Sequence, residues 1–350
     1  MTEPSTPEDE LLPAEPPSLD GVPDAAPDGA PVTRPARTLG LTTFTIEDRR
    51  APGLFVVGWL GILVGVGLLT IGLMGGTGIA AAVISVAAYA ALSLGLVLLA
   101  GSQTIERRAA GAAYAGPSPV LVFLAIVATA RLAGFVVGVP LLAVADSVPI
   151  EVGDLLAVIV QAIVFLGIVR LSVVGPGVLS WAEMGLSRTR SFLRELAGGA
   201  VFAGPVILVT AMIAAVAVQV VGVVPPSPLP PTGTTSGLVL HLLAGAVIAP
   251  FYEEVLFRGF ALNAWRKTVG TRGAIVRSSI LFVLAHMLFV GGDRFSEAVS
   301  LAFVGGVVRI PIALALGWLY VRTGSLWGPI GLHAAFNGIL IAIGETAVAQ

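Results

Sequence analysis

The sequence predicts an all-α polytopic membrane protein with about eight or nine transmembrane helices, on the strength of three observations. Hydrophobic residues make up 56% of the 350 residues and charged residues only 11%, whereas soluble domains carry about 25% charged residues. The apolar residues gather into stretches close to the roughly 20 residues that cross a bilayer. The loops between these stretches alternate between basic and neutral or acidic, as membrane topology requires.

Nine apolar stretches qualify as spans, and they cover residues 54–74, 79–100, 120–144, 155–174, 196–221, 238–262, 278–290, 298–321 and 326–343. The seventh is short, and we expect its real start nearer Ala274, so a count of eight is also acceptable. The segment 179–195 is too charged to span. It is predicted to lie at the membrane interface, with Arg188, Arg190 and Arg194 among the lipid headgroups.

The basic loops fix an expected orientation. Arginine and lysine residues cluster before the first span and after the second, fourth, sixth and eighth spans, at Arg34, Arg37, Arg49, Arg50, Arg107, Arg108, Arg188 to Arg194, Arg266 to Arg277 and Arg322. The positive-inside rule then predicts an integral, multi-pass protein of the cell (cytoplasmic) membrane with its N-terminus in the cytoplasm. With nine spans, the C-terminus lies outside.

Composition also limits which segments fold, which partners are expected and which catalytic side chains are available. Residues 1–38 are rich in Pro, Ala, Asp and Glu, which predicts a disordered tail. The net charge of −2 gives no basic field for nucleic acid, so no nucleic-acid partner is expected. The chain has no cysteine, which excludes thiolate chemistry, and only three histidines, His241, His286 and His333. We expect His241 to be interfacial.

The sixth span contains the most unusual stretch, A-P-F-Y-E-E-V-L-F-R-G-F-A at residues 249–261. Ionisable residues at bilayer depth are costly and are functional candidates by default. Glu254 and Arg258 are spaced i, i+4 with the acid first, which favours pairing on one helix face. Glu253 points about 100° away, so it is free to act as a general base. The alternative is that both acids belong to a buried ion network.

Two later spans each carry a polar pattern of the same spacing. Phe282 and His286 share one helix face, and so do His333 and Asn337. Taken singly, the Phe282 and His286 pattern is typical of a packing histidine, and the alternative for His333 and Asn337 is an interhelical hydrogen-bond pair. At about 1.5 Å per residue, Glu253 and His286 both lie roughly 14–20 Å deep and His333 about 10 Å. The sequence therefore allows these side chains to converge on one cavity that holds water.

Together, the three patterns resemble the signature of the CPBP family, the CAAX prenyl endopeptidases and bacteriocin-processing or self-immunity membrane proteins also called Abi proteins. The motifs are E-E-x-x-x-R at residues 253–258, F-x-x-x-H at 282–286 and H-x-x-x-N at 333–337, and the T-G-S-L turn at 323–326 fits as well. The resemblance covers residues 179–344, preceded by N-terminal transmembrane helices at 39–178 and followed by a tail at 345–350. Arg309 and Pro311 depart from the smooth small-residue helix expected of the eighth span.

The resemblance implies an intramembrane endopeptidase with a conical catalytic cavity. It implies that Glu253 and His286 activate a water and that His333 and Asn337 support the oxyanion. Glu254, Arg258 and Phe282 would then support the site. This division of roles matches the needs of amide hydrolysis, a base for water and donors where negative charge develops. The expected partners are the lipid bilayer and a peptide or membrane-protein substrate.

The cofactor is left open by the residues. Glu253, His286 and His333 would form a known type of zinc ligand set, in which case Glu254 becomes the candidate base. However, the chain has no H-E-x-x-H motif, and the ligands would come from three helices. We favour a metal-free glutamate mechanism over an obligatory zinc ion.

Two other functions compete with the peptidase. A noncatalytic membrane scaffold or bacteriocin self-immunity protein would keep the same fold and bind partners. A transporter or proton relay would also use buried Glu and His residues. Transporters usually show inverted repeats, and we find no internal repeat here.

Overall fold

The computed structural model describes residues 40–76, 78–142, 147–187, 191–288 and 290–350. The predicted tail at 1–38 and the predicted headgroup contacts of Arg188 and Arg190 lie outside these ranges. All regular structure within them is helical, which confirms the predicted all-α class. The helices are α1 (Pro52–Met74), α2 (Ile79–Ala109), α3 (Pro119–Leu142), α4 (Ile150–Val169), α5 (Phe192–Ala200), α6 (Ala203–Val221), α7 (235–269), α8 (271–287), α9 (Phe295–Val307), α10 (Ile310–Thr323) and α11 (Trp327–Val348).

Eight stretches of the described residues are long and apolar enough to cross a membrane. One of them, Thr235–Met287, has 53 residues and contains the predicted sixth and seventh spans. It is broken at Gly270, whose φ of 74° and ψ of 175° are not helical and suit a residue without a Cβ. We therefore treat α7 and α8 as separate arms. They run antiparallel, since the Ser278 hydroxyl of α8 donates to the Phe257 carbonyl of α7 at 2.8 Å.

The first two helices pack through glycine. Gly61 of α1 faces Gly95 of α2 so closely that a Cβ on Gly61 would lie 2.8 Å from the Gly95 Cα. Close backbone approach through small residues is a common way for helices to associate in lipid. The start of α1 is capped from α2, because the backbone N–H groups of Arg50 and Ala51 donate to Glu106 Oε1 at 2.7 and 3.3 Å. The carboxylate satisfies orphan donors at a helix N-terminus.

Helix α7 is not a regular α-helix. The stretches Leu243–Ile248 and Val255–Leu262 have π-helical hydrogen bonding, and the α-helical turn Ala249–Glu254 lies between them. Pro250 has no N–H, so the usual i+4 bond to the Ala246 carbonyl cannot form, which is one local reason for the wider turn. Single π-helical turns occur frequently at functional sites. Here they flank the two glutamates on both sides.

A second polar cluster ties α7 to α4 and α11 near the start of α7. His241 is buried, with an exposed fraction of 1%, and its expected position at the membrane interface stays a prediction. Its Nδ1 lies 2.7 Å from Glu345 Oε1 and its Nε2 3.3 Å from Asp154 Oδ2. Glu345 also accepts from the backbone N–H of Gly233 at 2.8 Å. These contacts hold α11 in helical form to Val348, past the expected boundary at Gly344.

Helix α11, which carries His333, is positioned by direct backbone contact with α5. A Cβ added to Gly331 would overlap the Leu196 carbonyl oxygen, and one added to Gly199 would overlap that of Gly328. The obstacle is main chain in both cases, so a side-chain rotation cannot relieve it. The distance between α5 and α11 therefore fixes where His333 can lie.

We predict that Gly331→Ala lowers the apparent melting temperature of the protein in lipid nanodiscs. Overpacking of this kind costs about 1–3 kcal/mol. Gly204→Ala is the matched control, because a Cβ at Gly204 in α6 meets nothing within 4 Å. Equal melting temperatures for the two variants would contradict the close packing of α5 and α11.

Candidate active site

The centre of the candidate site is the carboxylate of Glu254, which is fully buried in α7. Its Oε1 accepts a hydrogen bond from Arg258 Nη1 at 2.7 Å and one from His333 Nδ1 at 2.8 Å. Arg258 is also fully buried, and its Nη2 donates to the Ala313 carbonyl of α10 at 3.2 Å. The predicted pairing of Glu254 with Arg258 is confirmed. One carboxylate thus joins α7 to α11, and its arginine joins α7 to α10.

Glu253 faces a different direction, as the helical angle between neighbours predicts. Its Oε2 lies 3.9 Å from Nε2 of His286 and 3.8 Å from Nε2 of His333. Both separations are longer than a hydrogen bond, and this buried oxygen has no hydrogen-bond partner among the described residues. The side chains of Glu253 and His286 are 14% and 24% exposed, whereas Glu254 is not exposed at all. Glu253 is therefore the accessible carboxylate of the pair.

The hydrogen bonds of the two histidines set their tautomers. Nδ1 of His286 lies 2.8 Å from the Phe282 carbonyl oxygen, which can only accept, so this nitrogen carries the hydrogen. Nδ1 of His333 lies 2.8 Å from Glu254 Oε1 and donates to it, as Arg258 Nη1 does. In a neutral ring the other nitrogen then has a lone pair. Both Nε2 atoms accordingly present lone pairs towards Glu253.

The apolar ring of Phe282 lies next to both imidazoles and the Arg258 guanidinium. Its ring centroid lies 4.5 Å from that of His286 and 5.7 Å from that of His333. The Arg258 guanidinium lies over the same ring at 4.5 Å. Phe282 thus separates the charged pair from the accessible side of the site and fixes both imidazole planes.

Asn337 lies one turn after His333 but makes a different contact. Its Nδ2 donates to the Gly245 carbonyl at 2.8 Å, in the first π-helical stretch of α7. The contacts of the described residues do not link Asn337 to Glu253 or to either imidazole. One of its two amide hydrogens remains for another acceptor.

Sequence reasoning missed two features. It treated Arg309 as an irregularity of the eighth span, yet Arg309 lies at the break between α9 and α10, where its Nη1 donates to the Gly305 carbonyl at 2.7 Å. It also missed that His241 is enclosed by carboxylates. Arg309 lies in the middle of an apolar span, which is a usable signal for function. His241 had no local signal, because Asp154 and Glu345 lie 87 and 104 residues away.

The candidate site has donor atoms of the types that bind metals, but they are not arranged to hold a metal ion. Glu253, His286 and His333 offer one oxygen and two nitrogen lone pairs, the donor types that zinc takes. Within the described ranges, however, no group of three His, Cys, Asp or Glu side chains is placed to hold a metal ion. We therefore derive no catalytic step through a metal.

Comparison with known proteins agrees with the three motifs. Residues 235–339 match the family model described as Rce1-like, type II CAAX prenyl endopeptidase. An Escherichia coli protein described as an uncharacterized 24.3 kDa protein is 32% identical over 99 residues, which are 27% of this chain and 40% of that protein. The chain thus aligns with less than half of this relative. No solved structure matches the chain.

We predict that Arg258→Met strongly lowers thermal stability, because it leaves Glu254 as a buried carboxylate without its cation. Breaking a buried pair from one side costs about 3–5 kcal/mol. The double variant Glu254→Gln with Arg258→Met should be more stable than Arg258→Met alone, since no uncompensated charge remains. Arg322→Met, at an exposed position of α10, serves as the control. Additive effects in this double-mutant cycle would contradict the coupling of Glu254 and Arg258.

Proposed function

We propose, from the premise that residues 235–339 belong to the Rce1-like family of CAAX-type proteases, that this protein is an intramembrane endopeptidase. The observation that supports this most is the buried, unpartnered Oε2 of Glu253 opposite Nε2 of His286 and His333. This acceptor oxygen lies 3.9 and 3.8 Å from the two imidazole nitrogens, separations that suit a bound donor such as water between them. The eight apolar helical ranges support a membrane location for this activity.

In the proposed reaction, a water between these residues donates one hydrogen to Glu253 Oε2 and the other to His286 Nε2. The water oxygen attacks the carbonyl carbon of the scissile peptide bond while Glu253 takes the first proton. The tetrahedral intermediate then collapses, the C–N bond breaks, and Glu253 gives the proton to the leaving nitrogen. The products are one peptide with a new carboxyl group and one with a new amine.

The negative oxygen of the intermediate needs hydrogen-bond donors. The unused amide hydrogen of Asn337 is the first, since Gly245 takes only the other one. His333 is the second while it holds the proton that Glu253 took from the water: this proton passes to His333 Nε2, which lies 3.8 Å from Glu253 Oε2, and returns to Glu253 before the C–N bond breaks. Its Nδ1 would then stay on Glu254 while its Nε2 donates to the intermediate. Glu254, Arg258 and Phe282 act by holding this histidine in place.

The substrate class that fits is a peptide or a membrane-protein segment that reaches the site through the bilayer. The side chains of Glu253 and His286 are 14% and 24% exposed, which supports access of a substrate to this pair. A prenyl group is named in the description of the family, and we do not extend it to the substrate of this chain. We further propose that zinc is not obligatory, which a chelator tests directly.

We predict that purified wild-type protein in nanodiscs cleaves members of a fluorogenic peptide library. Glu253→Gln and His286→Ala should each lower kcat/KM by about 100-fold or more, in the range typical of lost general-base catalysis. Glu297→Gln, an exposed carboxylate in α9, is the matched control and should leave the rate unchanged. A chelator should not abolish cleavage, and loss of cleavage that added zinc restores would show a metal mechanism instead.

Cleavage that survives both Glu253→Gln and His286→Ala would contradict the site assignment. A folded wild-type protein that cleaves no peptide would favour the noncatalytic scaffold. The melting temperature of each variant must be compared with that of wild type, so that lost activity is not confused with lost folding.

A further inference from the structure

Arg309 lies in the middle of an apolar membrane stretch and has no role in the proposed mechanism. The range Phe295–Thr323 has 29 residues, and Arg309 is near its centre, between α9 and α10. An arginine at mid-membrane depth is costly and usually faces a partner or a polar cavity. We therefore expect Arg309 to have an interaction partner at the candidate site.

One part of the guanidinium has a structural role. Helix α9 ends at Val307, and Pro311 opens α10 without an N–H to donate. The Arg309 backbone N–H bonds to the Gly306 carbonyl, so the Gly305 carbonyl loses its usual i+4 partner. Arg309 Nη1 takes that place and donates to the Gly305 oxygen at 2.7 Å. This bond folds the side chain back along α9.

The rest of the guanidinium has no partner of opposite charge. Among the described residues, no carboxylate oxygen lies within 4.0 Å of its nitrogens, whereas Arg258 has such a partner at 2.7 Å. Gly306, three residues before Arg309, packs against Val283 and Met287 of α8, the helix that carries His286, since a Cβ on Gly306 would lie 3.4 Å from Val283 Cγ1 and 2.7 Å from Met287 Sδ. Four of the five N–H donors of an arginine remain after one is used. A half-buried cation with free donors thus lies where α9 packs against the part of α8 that carries His286.

We propose that Arg309 is a specificity-determining residue that binds a carboxylate of the substrate beside the scissile bond. Guanidinium and carboxylate match as a bidentate pair, and their hydrogen bonds are strong when partly desolvated. The carboxylate is either the C-terminus of the substrate or a nearby Asp or Glu side chain. This inference rests on the proposed function, since it places the anion next to the Glu253 and His286 pair. It predicts a substrate that is acidic close to the cleaved bond.

The test uses a set of four fluorescein-labelled peptides with wild-type protein in nanodiscs. The parent is Ala-Val-Leu-Leu-Glu as the free acid. The second carries Gln for Glu, the third is the C-terminal amide, and the fourth has both changes. Binding is measured by fluorescence anisotropy and cleavage by chromatography. Comparison of the second and third peptides distinguishes a side-chain carboxylate from a terminal one.

The variant Arg309→Gln removes the charge but keeps a side-chain donor for the Gly305 carbonyl. We expect wild type to bind the parent about 10-fold or more tightly than the doubly neutral peptide, as for other hydrogen bonds to charged groups. Arg309→Gln should lose that preference, and Arg309→Lys should keep part of it. Arg322→Gln, an exposed arginine of α10, should keep it in full.

Each outcome decides the proposal. Equal binding of all four peptides by wild type overturns it, and this comparison holds even if Arg309→Gln fails to fold. An equal loss by Arg309→Gln on acidic and neutral peptides also overturns it, because the residue would then act on structure or on the reaction itself. Acid-selective binding that depends on Arg309, without any cleavage, would support the anion site and contradict the peptidase function. Cleavage without acid-selective binding would support the peptidase function and contradict the anion site.

Discussion

The sharing of one buried carboxylate between a guanidinium and an imidazole is the constraint on which the rest of the site depends. Glu254 accepts from Arg258 and from His333, and Arg258 continues the chain of contacts to Ala313. In a medium without water, each of these groups would be costly alone. Held together, they lock α7, α10 and α11 around one point. Because Glu254 is used in this way, its neighbour Glu253 is left free for chemistry.

The backbone departs from regular α-helix near the candidate site. Two π-helical stretches flank the glutamates, and Gly270 reverses the chain so that α8 returns His286 to the level of Glu253. The break between α9 and α10 falls at Arg309. Irregular backbone at membrane depth is tolerated where it is enclosed in protein or borders a polar cavity. The departures from ideal helix thus coincide with the candidate site.

The sequence allowed much of this to be predicted, because local spacing carries the information. The i, i+4 pairing of Glu254 with Arg258 and the separate direction of Glu253 follow from helical geometry and are confirmed. Contacts between distant segments could not be predicted in this way. The enclosure of His241 by Asp154 and Glu345 depends on how α4, α7 and α11 meet. The Gly245 contact of Asn337 likewise depends on a π-helical turn that no residue pattern announces.

The most direct test of the account is the protonation of the His286 ring, measured by ¹⁵N solid-state NMR of histidine-labelled protein in lipid bilayers. The chain has only three histidines, so each signal can be assigned with single-histidine variants. The account predicts hydrogen on Nδ1, held by the Phe282 carbonyl, and a bare Nε2 towards Glu253. Hydrogen on Nε2 with a bare Nδ1 would contradict it, because His286 could then no longer accept a hydrogen from the attacking water.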